Sequence, residues 1–107
     1  MPNIAERETR RGLRLPLNVS GRDARGAPFA EGAETVNISG GGLCFVATRS
    51  VPVGARLDLR IQVPAALRHH FGGRAVYAVK AVVCRLEHIE GAATYRVGVR
   101  FLGELEA

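Results

Sequence analysis

Apolar and polar positions alternate most cleanly over residues 56–63. Leu57, Leu59, Ile61 and Val63 share one parity, and Arg56, Asp58, Arg60 and Gln62 the other. A period of two is that of a strand with one face buried. The same pattern starts at Leu13, where Leu13, Leu15, Leu17 and Val19 alternate with Arg14, Pro16, Asn18 and Ser20. Pro16 predicts an edge or a strand start. A second strand is predicted over residues 34–39, with Val36 and Ile38 inward and Asn37 and Ser39 on the outer face. Gly40, Gly41 and Gly42 then form a turn into a third strand over residues 43–48. A long strand covers residues 74–88. Its inward set slips from Tyr77, Val79 and Ala81 to Val82, Cys84 and Leu86, which predicts a β-bulge near Val82 and Val83. Tyr95, Val97, Val99 and Phe101 line a last strand.

Residues 21–32 and 50–55 are rich in turn formers, and residues 64–73 interrupt the strands with one helical turn at residues 65–68. Residues 1–12 are highly charged and lack a sustained apolar period, so they read as a mobile arm. About six strands without a repeat or a long helix suggest an antiparallel barrel or sandwich. The chain ends soon after the last strand, leaving little for a C-terminal helix. With 107 residues, of which 47% are hydrophobic, it is expected to fold as one domain over 1–107. No apolar run nears the roughly 20 residues that span a bilayer, and the N-terminus has no apolar signal region. The expectation is a cytoplasmic protein without a membrane partner. Cys44 and Cys84 both lie in apolar stretches and are expected to be buried, reduced thiols.

Charge changes this picture. The 15 basic residues outnumber the 10 acidic ones, giving a net charge of +5, and Lys80 is the sole lysine. Arginine presents a planar fork to phosphate and guanine edges and also stacks on rings. Arg7, Arg10, Arg11 and Arg14 crowd into the start of the chain. Residues four apart share a face in a helical turn and in an extended chain, so Arg10 and Arg14 can reach one ligand either way. Gly12 between them allows a bend. In the second cluster, Asn37-Ile38-Ser39-Gly40-Gly41-Gly42, the Asn37 amide can accept from guanine N–H groups and Ser39 adds a hydroxyl on the same face. The glycines let backbone amides approach an anion, as in a nest. No serine lies in a nucleophile-elbow pattern and no carboxylate pair stands out. Asp23, Asp58 and Glu87 read as surface charges. His69, His70 and His88 lack the spacing of a metal site. No catalysis, metal or cofactor is expected.

Together the two clusters form RxxxR at Arg10 and Arg14 and NxSxxG at Asn37, Ser39 and Gly42. This pair resembles the PilZ domain family, bacterial receptors for cyclic di-GMP. The final Val97-Gly98-Val99-Arg100-Phe101 also looks like that family's last strand, and the resemblance runs from Glu6 onward. Arg7 and Arg11 share the spacing, but Arg14 leads directly into the alternating strand, as the family's second arginine does. The resemblance implies a six-stranded antiparallel barrel with a flexible N-terminal arm. It implies that cyclic di-GMP is held by Arg10, Arg14, Asn37, Ser39 and Gly42, with Arg11 and Gly41 as secondary candidates. It further implies that the arm folds over the ligand and signals to a downstream protein. Thr9, where some members carry a further arginine, implies one ligand per chain. Two other readings compete: a PilZ-fold adaptor with little ligand binding, and a small barrel that binds nucleic acid. The second is disfavoured because Phe45, Tyr77, Tyr95 and Phe101 mostly fit inward positions.

Overall fold

The cleanest alternation becomes the most buried strand. In a computed structural model that describes residues 13–105, β4 runs Arg56–Gln62. Its Leu57, Leu59 and Ile61 are buried, as is Val63 just beyond. The other strands are β1 (Pro16–Arg22), β2 (Pro28–Ile38), β3 (Gly42–Ala47), β5 (Val76–His88) and β6 (Tyr95–Glu104). They close into an antiparallel barrel in the order β1-β2-β3-β6-β5-β4. Closure joins β1 to β4, which removes sheet edges. Pro16 and Pro28 each begin a strand, where a missing N–H costs least.

The barrel interior is filled by Leu17, Val19, Phe45, Leu59, Ile61, Val79, Val83 and Val97, all nearly inaccessible. Each such aliphatic or aromatic side chain contributes roughly 1.5–3 kcal/mol by leaving water. Val51, in the connection after β3, joins them. A short 3-10 helix over Ala65–Phe71 links β4 to β5. The Phe71 ring packs tilted against Tyr77, and Tyr77 lies edge-on to Phe101, so this segment seals one side of the core. Burial raises the Tyr77 hydroxyl pKa above its usual value, helped by the nearby Glu104 carboxylate. No helix among the described residues is long and apolar enough to cross a membrane.

Four sequence expectations need correction. The turn-rich stretch at 21–32 is mostly strand: only a tight turn around Asp23–Ala27 separates β1 from β2. Asp23 holds that turn by accepting from the Arg25 and Ala27 amides. Second, Val36 is not inward. The β2–β3 register shifts between Thr35 and Asn37, so Thr35 and Ile38 are the buried residues. Third, the β5 bulge comes later than Val82 and Val83. The pairing with β6 shifts between Val83 and Arg85, making Cys84 the extra residue, with a second shift between Lys80 and Ala81. Fourth, Cys84 is therefore exposed while Cys44 is buried.

Thr35 is the one buried polar side chain among the described residues. Its hydroxyl donates to the Leu13 carbonyl and accepts from the Leu15 amide at 2.8 Å. The Thr35 amide in turn donates to the Leu15 carbonyl at 2.9 Å. The start of the described chain is thereby fastened to β2 just before the asparagine of NxSxxG.

Candidate ligand-binding groove

The outer face of β2, β3, β6 and β5 carries an open groove of about 420 Å³, within the roughly 300–1,000 Å³ typical of small-molecule sites. Its geometry follows from register. Asn37 pairs with Cys44, Cys44 with Gly98, and Gly98 with Arg85, making one row across four strands. At roughly 4.8 Å per strand the row is about 14 Å wide. In the next row Gly42 pairs with Arg100 and Arg100 with Val82. Asn37, Ser39, Gly41 and Gly42 line one side of the groove, and Cys84, Arg85 and Arg100 contribute to the other.

Glycine makes the depression. Gly98 offers no side chain in the middle of the first row. Gly42 is required for a different reason: a Cβ there would lie 2.2 Å from the Val99 carbonyl oxygen. The approach of β3 to β6 therefore excludes any side chain at this position. Gly40, Gly41 and Gly42 all have ordinary negative φ, since the left-handed glycines are Gly26, Gly54, Gly72, Gly73 and Gly91. The glycine turn is thus not the curled amide nest expected from the sequence. Ser39 closes it instead: its amide donates to the Gly42 carbonyl at 2.9 Å, and its hydroxyl accepts from the Gly41 amide at 3.4 Å.

Arg14 sits beside β2 at the entry to β1. Its guanidinium lies 3.8 Å from the Glu34 carboxylate, and both side chains are largely exposed. Such a pair is worth roughly 0–1 kcal/mol, so it yields readily to a better anion. Arg10 and Arg11, with the arm at 1–12, lie outside the described residues. Arg85, Arg100 and Gly98 were not singled out as site residues from the sequence. The phase slip in β5 was the one local sign for Arg85; the other two are placed by strands distant in sequence.

The chain is thus a small closed barrel with a polar, glycine-floored groove on its outer face. The chain belongs to the PilZ domain family, whose model matches residues 6–107. Members of this family are generally cyclic di-GMP receptor domains, built for binding and not catalysis. The fold is similar to the solved structure of the Bacillus subtilis inhibitor of motility MotI/DgrA, with a TM-score of 0.66 and 18% sequence identity over 91% of this chain. The chain spans 42% of that protein, less than half its length. No curated protein matches the sequence.

Proposed function

We propose that this chain is a cyclic di-GMP receptor domain. The observation that supports the reading is the place of Arg14, the described half of RxxxR, beside the strand that leads into NxSxxG. Thr35 fixes Leu13 and Leu15 beside β2, which brings Arg14 to the strand that carries Asn37 and leads into Ser39. Asn37, Ser39 and Gly42 share one groove. A guanine edge offers N–H donors to the Asn37 amide oxygen and O6 and N7 acceptors to an arginine fork. Arg14 exchanges Glu34 for the ligand, and Arg10 joins it as the arm closes. The ordered arm presents a new surface to a partner protein.

Calorimetry with cyclic di-GMP tests this directly. The expected result is saturable binding at one ligand per chain. A well-folded chain that gives no heat removes the proposal. Cys84 supplies an independent reading, because its exposed thiol lines the groove. Bound ligand should slow its alkylation.

A further inference from the structure

The two walls of the groove are built by the same device. Without interruption, the inward parity of Val79, Ala81 and Val83 would send Arg85 into the core. Cys84, the extra residue of the β5 bulge, turns Arg85 outward, opposite Gly98. On β2 the inward Thr35 would likewise be followed by an inward Asn37. The register shift at Val36 turns Asn37 outward instead, opposite Cys44. Bulges next to binding sites commonly re-aim a side chain in this way. Here two of them aim polar side chains at one groove from its two sides.

The charges of the second wall are also unspent. Arg14, Arg49 and Arg74 each approach a carboxylate. Among the described residues, neither Arg85 nor Arg100 has a carboxylate within ion-pair distance. Their cross-strand neighbours are Gly98 for Arg85, and Gly42 and Val82 for Arg100. Among the described residues, no acidic side chain lines the groove. Two guanidinium groups thus border a depression that already holds the NxSxxG residues, with neither ion-paired to a carboxylate among the described residues.

We infer that Arg85 and Arg100 form a second cationic wall that holds the phosphodiester charge of the bound dinucleotide from the side opposite Asn37. The inference rests on the receptor reading and adds to it a grip that does not depend on the N-terminal arm. A point-charge contact to phosphate is met by either basic residue, whereas a forked contact, to phosphate or to a base edge, needs arginine.

The test is calorimetry of the full chain and of R85A, R100A and R85K with cyclic di-GMP. Melting curves should match wild type, since all three changes are at exposed positions. Each alanine variant should bind about tenfold or more weakly. R85K should stay within about threefold of wild type if the contact is to phosphate charge. Tight wild-type binding with no loss in either alanine variant overturns the inference and leaves the receptor reading intact. R85K as weak as R85A overturns a point-charge contact at Arg85 and leaves only a forked one. If wild type does not bind cyclic di-GMP, the receptor reading fails. The wall is then judged by titrating labelled wild type with 5′-GMP and following the arginine side-chain resonances. Shifts at Arg85 and Arg100 keep a phosphate-binding wall, and their absence removes it.

Discussion

At one end of the barrel, Arg49 lies 3.2 Å from Glu31 and 3.5 Å from Asp23, and its guanidinium sits 5.3 Å from the centre of the Phe29 ring. Glu31 also accepts from the Thr48 amide and hydroxyl. In the groove, at the other end of β2, Arg85 and Arg100 face glycine and valine across the strands. The residue type is the same, and its surroundings decide its use. Charge that is matched locally ties the β1–β2 turn to the end of β3. Charge on a concave face where no described carboxylate pairs with it is available to an anion. The contrast also explains why a net charge of +5 says little alone. What matters is which arginines have already been answered.

Substitutions can break this contrast. The largest effects should fall on binding: Arg14→Ala and Asn37→Ala should each weaken cyclic di-GMP binding by about tenfold to a hundredfold, the worth of a charged hydrogen bond of roughly 1.5–3 kcal/mol. Calorimetry reads this, and melting temperature should hardly move. Gly42→Ala should act on both properties. Its Cβ pushes on the Val99 carbonyl, so β3 and β6 must separate, at a cost on the order of 1–3 kcal/mol by analogy with overpacked cores. Thermal unfolding should show the loss, and the distorted groove should bind poorly. Arg49→Ala should do the reverse of Asn37→Ala. Exposed ion pairs are worth roughly 0–1 kcal/mol, so the melting temperature should drop by about 5 °C or less, with affinity unchanged. A loss of affinity in this variant would erase the distinction between the two ends.

The smallest effect concerns acid. The Ala27 amide, then the Arg25 amide and nearby guanidinium groups, hold the Asp23 carboxyl below its ordinary range. A carboxyl depressed by folding stabilises above its unfolded pKa, near 3.8, and that contribution fades as pH falls through the folded value. Asp23→Asn should therefore lose stability at neutral pH and show a shallower decline in acid. Equal pH profiles for the two proteins would refute it.

Much of the barrel was legible in sequence because its strands obey local parity. Leu57, Leu59 and Ile61 show this best. The NxSxxG side of the groove was also legible, since Asn37, Ser39 and Gly42 sit within one strand–turn–strand segment. The failures have one physical source. Val36 and Cys84 break parity at bulges, and a bulge is defined against the partner strand. Arg85 and Arg100 come beside Gly42 only through pairings among β3, β6 and β5, and no local pattern records those. The glycine turn misled for a related reason: Gly42 answers to Val99, 57 positions later in the numbering.

Thr35 has a consequence for how tightly the proposed ligand is held. By fastening Leu13 and Leu15 to β2, it fixes the point from which the proposed arm would close. Arg10 lies four residues from Arg14, a span of at most about 14 Å. A group confined so closely meets its target at an effective concentration on the order of millimolar, without diffusing in from solution. Each residue ordered on closure costs about 1–2 kcal/mol. On the proposed closure, a hydroxyl inside the barrel would shorten the segment to be ordered, and an uncharged side chain outside the groove would set part of the affinity.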